Sequence, residues 1–252
     1  MTVGRKHQRY GVSRHESLPK HIYYGRYYNA RVRGEETSLV DAAPVRAHVH
    51  RLMEWGMGHT MIAAAAGCSH GAVKNVARGT YPTLRRETAT RIMSVTHKPH
   101  PEQALCLAIG ARRRVEALQA IGWQKQEIAA RAGTSPEILR KSMTRTQIAY
   151  ATWARVRDVY NEISGTPGES SLTRARAKRL HYVAPLAWYG RDIDHPEHQP
   201  DWKAAGIKPA DRPVCAKNHE YTAENTRLDH RGRRQCRTCS KANKRRKAEK
   251  AA

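Results

Sequence analysis

Two octapeptides decide how this chain is read: Ile62-Ala63-Ala64-Ala65-Ala66-Gly67-Cys68-Ser69 and Ile128-Ala129-Ala130-Arg131-Ala132-Gly133-Thr134-Ser135. They lie 66 residues apart, and the match extends outward from them. Between residues 39–69 and 105–135, twelve of 31 positions are identical: Leu39/Leu105, Ala42/Ala108, Arg46/Arg112, Val49/Val115, Leu52/Leu118, Gly56/Gly122, Ile62/Ile128, Ala63/Ala129, Ala64/Ala130, Ala66/Ala132, Gly67/Gly133 and Ser69/Ser135. Unrelated segments would agree at about two such positions, because each residue type makes up only a few per cent of an average chain. The chain contains a duplicated unit.

The identities fall where helices need them. In the first copy Val45, Val49, Leu52 and Met53 recur at helical spacing, with Asp41 placed to cap the helix and Gly56 to end it. Met61, Ile62, Ala65 and Ala66 form the inner face of a short second helix. Gly67 supplies a tight turn, and Ser69 caps a third helix with Val73 and Val76 inward. The second copy repeats this with Val115, Leu118 and Ile121 before Gly122, then Ile128, Ala129 and Ala132 before Gly133. Ser135 caps its third helix. Pro136 occupies the first helical position, where no N–H is required, and Leu139 and Met143 face in. Each copy is expected to close with a further helix, over about residues 87–96 (Ala89, Ile92, Val95) and 146–163 (Ile148, Trp153, Val156, Val159, Tyr160). Cys68 and Cys106 read as small packed hydrophobes.

The pattern Ile-Ala-x-x-Ala-Gly-x-Ser resembles the helix-turn-helix of Cro/repressor-like DNA-binding domains. Small residues at Ala63, Ala66, Ala129 and Ala132 let two helices cross closely, and Gly67 and Gly133 suit a turn position with positive φ. The resemblance implies that the helix after the turn enters the major groove, with its first exposed residues at base edges. On this chain the first such helix, residues 69–78, offers Ser69, His70, Lys74, Asn75 and Arg78. Asn75 suits adenine, and Lys74 or His70 suits guanine or phosphate. The second offers Ser135, Glu137, Arg140, Lys141 and Arg145, with Arg140 suited to guanine and Glu137 to accepting from cytosine. Two chemically different readers in one chain imply an asymmetric or degenerate site across successive grooves, about 34 Å apart. The plainer alternatives are paired helices of a bundle without a DNA role, and basic side chains that are solvated or on phosphates rather than on bases.

Composition points to the same partner class. The 252 residues carry 46 Lys+Arg against 22 Asp+Glu, a formal net charge of +24, which favours a polyanion and above all nucleic acid. Hydrophobic residues make up 39% and Phe is absent, enough for small helical cores but not for one large aromatic one. No run approaches the roughly 20 apolar residues of a membrane span, and no apolar stretch follows the charged N-terminus. The expectation is a protein of the bacterial cytoplasm, associated with the nucleoid, without a membrane partner or a small-molecule substrate. Residues 1–38 mix Arg and Lys with Tyr23-Tyr24-Gly25-Arg26-Tyr27-Tyr28 and read as an arm for DNA backbone or minor groove, or as a tail without a role. Tyrosine stacking on single strands keeps an RNA partner open.

Beyond the two copies (39–97 and 98–166), residues 167–212 hold a basic helix candidate with Arg174, Arg176, Lys178 and Arg179. There follow Ala184-Pro185-Leu186-Ala187-Trp188 and an acidic, proline-rich stretch over 192–213. Two such units followed by Arg-Ala-Arg and Pro-Leu-Ala-Trp…Ile-Asp-x-Pro resemble a group of tandem helix-turn-helix proteins of actinobacteria and their phages. That resemblance implies DNA binding rather than a named pathway. Trp188 is expected to anchor this segment on the second unit, and the acidic stretch to act as a linker.

Residues 213–252 carry 12 Lys+Arg against 4 Asp+Glu, +8 of the +24. They also carry Cys215-x3-His219 and, after 16 residues, Cys236-x2-Cys239. Thiolate and imidazole pairs in a reducing compartment favour tetrahedral Zn2+, and a segment this short lacks a core without metal. Residues 229–232 read as a turn between two short strands, and residues 240–250 as a basic helix. The run Asn218-His219-Glu220-Tyr221…Glu224-Asn225-Thr226…Gly232-Arg233-Arg234-Gln235-Cys236-Arg237-x-Cys239 resembles the zinc-binding half of HNH-type phage endonucleases. The catalytic half of that pattern has no counterpart: only 13 residues follow Cys239, none is His, and His230 lacks a metal-binding partner in sequence. Arg231, Arg233, Arg234, Arg237, Lys244, Arg245, Arg246 and Lys247 therefore read as phosphate contacts.

The sequence predicts a mainly α protein: two tandem helix-turn-helix units, then a zinc-stabilised ββα-like module. Its expected role is a non-enzymatic, sequence-specific double-stranded DNA-binding regulator, repressor-like by occupancy. Activation would add a contact with RNA polymerase, for which no surface is identifiable. The competing readings are an HNH-related nuclease or recombination factor, and a non-specific architectural or RNA-binding protein.

Overall fold

The computed structural model describes residues 38–251 without a break, together with Gly25, Tyr28, Asn29, Val32 and Arg33, and side chains as far as Arg246. The N-terminal arm expected over 1–38 lies almost wholly outside the described residues. The chain is mainly helical.

The duplication is visible element by element. The first unit runs β1 (Leu39–Asp41), α1 (Ala43–Glu54), α2 (His59–Ala66), α3 (His70–Arg78), β2 (Thr83–Arg85) and α4 (Arg86–Met93). The second runs β3 (Leu105–Leu107), α5 (Ile109–Ala120), α6 (Lys125–Arg131), α7 (Pro136–Thr144), β4 (Gln147–Ala149) and α8 (Tyr150–Ile163). In each, the opening strand pairs antiparallel with the strand before the closing helix: Leu39 faces Arg85, and Leu105 faces Ala149. The expected start of the last helix at residue 146 is therefore corrected. Residues 147–149 are strand, and Ile148 reaches the core from β4. Three-residue strands are too short to show a period of two.

Each unit has its own core. Val45, Val49, Leu52, Ile62, Val73 and Ile92 pack in the first; Val115, Leu118, Ile128, Leu139, Trp153 and Val156 pack in the second. The turn between the second and third helices is built identically. Gly67 (φ 58°) and Gly133 (φ 56°) are left-handed. The following amides of Cys68 and Thr134 reach back to the carbonyls of Ala63 and Ala129 at 3.0 and 2.9 Å. A side chain there would cost about 1 kcal/mol. The copies diverge just after the third helix: Gly79 (φ 70°) opens a four-residue link to β2, whereas Arg145, extended, opens a two-residue link to β4. From there on the offset is 64, so Arg91 and Arg155 are equivalent; they donate to the carbonyls of Gly67 and Gly133 at 3.0 and 3.2 Å.

The stretch expected to be an acidic linker is instead a strap at the meeting point of the whole molecule. After α9 (Ser171–Arg179), which packs on α5, Val183, Ala187, Trp188, Ile193 and Trp202 form a third core against Ala117. Asp194 takes Arg114 through both oxygens at 2.6 and 2.8 Å and accepts from Trp153 Nε1 at 2.8 Å. Gly110 leaves the space, since a Cβ there would overlap the Asp194 carboxylate. Arg113 donates to the carbonyls of Ile193, His195, Pro196 and His198 at 2.7–3.3 Å and lies over the Trp188 ring. The strap also touches the first unit, through His97–Asp192 (2.7 Å) and Trp55 Nε1 to Glu197 (3.0 Å). The last segment is held through Gln199 Nε2 to the Cys215 carbonyl (2.6 Å) and Asn218 Nδ2 to the Pro196 carbonyl (2.9 Å).

That segment pairs β5 (Thr226–Leu228) with β6 (Arg234–Cys236), antiparallel, and ends in α10 (Arg237–Ala251). Asp229 turns the hairpin by accepting from the amides of Arg231 and Arg233 at 2.9 Å each. Among the described residues no helix is long and apolar enough to cross a membrane.

Candidate nucleic-acid interface and metal centre

The helices after the glycine turns keep their apolar sides inward and their polar sides out. In α3, Val73 and Val76 are buried; Ser69, His70 and Arg78 are exposed, and Lys74 and Asn75 are half-buried. In α7, Leu139 and Ser142 are buried, while Ser135, Glu137, Ile138, Arg140, Lys141 and Arg145 are exposed. Two refinements follow. The Ser69 and Ser135 hydroxyls are occupied as helix caps, accepting from the amides of Ala72 and Ile138 at 3.2 Å each. Glu137 and Arg140, expected to read bases independently, are locked together: Arg140 Nε and Nη2 each donate to Glu137 at 2.7 Å, with Lys141 Nζ 3.7 Å away. The Arg140 hydrogen bonds hold the Glu137 carboxyl down at about pKa 2.

Cys215, His219, Cys236 and Cys239 converge, with all four ligand atoms within 4.8 Å of one another. Cys215 Sγ lies 3.6 Å from both His219 Nδ1 and Cys239 Sγ, and His219 Nδ1 lies 3.2 and 3.5 Å from Cys239 and Cys236 Sγ. A tetrahedral ion bonded to sulfur at about 2.3 Å and nitrogen at about 2.0 Å has ligand–ligand edges of about 3.5–3.8 Å. The cluster therefore fits one four-coordinate ion.

The local backbone creates this geometry. Asn218 adopts a left-handed conformation (φ 60°), folding Cys215 back on His219 so that the Cys215 amide donates to the His219 carbonyl at 2.9 Å. The amides of Lys217 and Cys239 point at Cys215 and Cys236 Sγ (3.3 and 3.4 Å). Burial opposes ionisation of Cys236, but the Cys239 amide and thiol, Asn225 and His219 outweigh it and hold the thiol down at about 6. Burial and the two neighbouring sulfurs push Cys239 up to about 12. Three thiols at this spacing do not ionise together unless a cation joins them.

Asn225, quoted in the sequence only as part of the HNH-like run and given no role there, braces the cluster. Its Oδ1 accepts from the Thr238 amide and hydroxyl (3.0 and 2.8 Å), and its Nδ2 donates to the Glu220 carbonyl (2.6 Å) and approaches Cys236 Sγ (3.5 Å). It ties the two halves of the cluster together. Outside any ligand spacing, this bracing role left no trace of its own in the sequence.

The basic residues of this segment divide. Arg231, Arg237, Lys244 and Arg246 are exposed, as is Arg245; Arg233 is exposed but paired with Asp229 at 3.2 Å. Arg234 is corrected: it turns inward, donating to the Arg212 carbonyl at 2.8 Å and lying over the Tyr221 ring at 4.4 Å. The side chain of Lys247 lies outside the described residues. No protein-family model, curated protein or solved structure matches the chain.

Proposed function

We propose that this protein binds double-stranded DNA in a sequence-specific manner, with α3 and α7 entering successive major grooves, and that it regulates transcription by occupying its site. The observation that carries the reading is the duplicated turn. Twice, a left-handed glycine is followed by a serine-capped helix with a buried apolar side and an exposed polar side at its N-terminal end. A glycine turn followed by such a helix is the arrangement by which helix-turn-helix proteins present side chains to base edges. The excess of 24 positive charges supports a polyanionic partner independently of that geometry.

The Cys3His cluster is assigned to Zn2+, whose borderline softness suits three thiolates and one imidazole in a closed tetrahedron. With all four positions taken by protein, the ion would hold β5, β6 and α10 together and leave no place for a substrate. Exposed Arg231, Arg237, Lys244 and Arg246 then serve as phosphate contacts, which add affinity but no sequence information.

Selection of bound duplexes from a random pool at fixed salt, with and without a chelator, tests both parts. The expected result is one enriched sequence in either condition, with weaker retention after chelation. Equal recovery of all duplexes, or preference for single-stranded RNA, would refute sequence-specific DNA binding.

A further inference from the structure

Between α6, α7 and α9, beside the exposed side chains of α7, lies a cleft of about 630 Å3. Its wall is formed by Lys125 at the start of α6, Ser135, Glu137 and Arg140 at the start of α7, and Arg176 on α9. Against the one carboxylate, Glu137, stand three cations, so the lining is positive by two charges. Arg176 is exposed and has no ion-pair partner among the described residues. Lys125 is held near two guanidinium groups: burial first, then Arg176 and, more weakly, Arg140 lower its ammonium pKa, while Glu116 opposes them. Like charges gathered around one cleft favour an anion between them.

The floor adds a second observation. Gln119 is 8% exposed, and its buried amide oxygen has no hydrogen-bond partner. The orphaned oxygen is an acceptor and suits a water rather than a phosphate. It leaves the amide free of any tie at that end, so the Nε2 donors of Gln119 can turn to an incoming oxygen.

The position of α9 is fixed. Ser170 caps it, Ala177 is buried against the second unit, and Arg174 is tied to the Gly168 carbonyl at 2.6 Å. Arg176 is thus carried at a set place beside the N-terminal turn of α7.

We propose that this cleft is a phosphate clamp: Lys125, Arg176 and the Gln119 amide hold one backbone phosphate of the DNA strand flanking the groove that α7 reads. This rests on the reading of α7 as a DNA-facing helix and adds that α9 belongs to the interface of the second unit alone. A phosphodiester in the cleft would also give Arg140 a second anion to choose besides Glu137.

The test uses the full chain, the duplex it selects from a random pool, and a series of that duplex with single neutral methylphosphonates along each strand. Arg176→Ala is expected to lower the slope of log affinity against log salt by about 0.9, the loss of one phosphate contact, with the preferred sequence unchanged. One methylphosphonate flanking the α7 half of the site should weaken binding of the wild type and have no effect on Arg176→Ala. Arg179→Ala removes the same charge from the same helix outside the cleft and should leave that penalty intact. Selection of a sequence by the wild type with an unchanged slope in Arg176→Ala, and a penalty that persists in it, would overturn the clamp alone. Failure of the wild type to select any duplex would overturn the underlying reading of α7. Inorganic phosphate titrated into the free protein separates the sources. Saturation at low millimolar phosphate, lost in Arg176→Ala without any change in DNA slope, would assign the cleft to a free phosphate and overturn the clamp.

Discussion

The two copies share one turn and differ in nearly everything attached to it. The first unit closes its core with α4 and contributes only a few side chains to the rest of the molecule. The second is gripped on α5 by the strap over residues 192–199 and flanked by α9. The substitutions that separate them are local: Ala47, His48 and Pro44 of the first copy correspond to Arg113, Arg114 and Gly110 of the second. Those three positions create the guanidinium pair and the gap that receive Asp194. On the outer faces, Gly71, Lys74 and Asn75 correspond to Glu137, Arg140 and Lys141. One copy presents amide and ammonium groups, and the other a self-paired arginine and glutamate. Duplication preserved the scaffold, while divergence made the second copy the hub on which the strap closes.

The largest expected break in this contrast is Asp194→Ala. It leaves Arg114, whose side chain is 8% exposed, charged and without its carboxylate, and also strips Trp153 Nε1 of its acceptor. Breaking such a buried pair costs roughly 3–5 kcal/mol. Hydrogen exchange should show the loss in α5 and α8, with the α1 amides protected as before; uniform loss across both units would mean that they fold as one.

Glu116 sharpens the contrast in the opposite direction. Burial raises its carboxyl from 4.5 to about 6, against the pull of Arg112, Arg113 and Lys125. The folded chain therefore binds this proton more tightly than the unfolded one. The associated stability is full below about 4.5 and is lost as pH rises through about 6. Glu116→Gln should stabilise the protein at neutral pH by ~1–2 kcal/mol and flatten denaturation midpoints between those values. The equivalent first-copy residue is His50, exposed and bonded to the Ala77 carbonyl at 2.9 Å.

The serine caps should behave alike. Ser69→Ala and Ser135→Ala each remove one hydroxyl that accepts a helix amide and should each cost about 1 kcal/mol in thermal unfolding. A marked inequality would show that the two turns are not energetically equivalent. The smallest effect belongs to Glu137→Gln, which frees Arg140 and Lys141 from an exposed, solvent-screened ion pair. Affinity for the selected duplex should rise by no more than about fivefold, with relaxed preference at the bases beneath α7. The corresponding first-copy change, Gly71→Ala, adds no charge and should leave preference unaltered.

The repeat, the glycine turns, most inward residues (Met53, expected with Val45, Val49 and Leu52, is instead exposed) and the four clustered Cys and His residues were legible in the sequence because each depends on local spacing. Asp229 and Gly232 likewise marked their hairpin by turn chemistry alone. The strands β1 to β4 were not legible, being three residues long and paired across 40 or more residues. The equivalence of Arg91 and Arg155 was hidden because a two-residue shortening after α7 moves the register from 66 to 64. The strap was misread because acidic residues and prolines look like a spacer. Its structure comes from Arg113 and Arg114, about 80 residues earlier in the chain, and long-range pairing of that kind leaves no periodic trace.

Hydroxyl-radical footprinting of the selected duplex shows whether two different helices read one DNA duplex. Two protected patches about one helical turn apart are expected, with Lys74→Ala weakening one and Arg140→Ala weakening only the other. A single protected patch, insensitive to both substitutions, would contradict a two-helix reading.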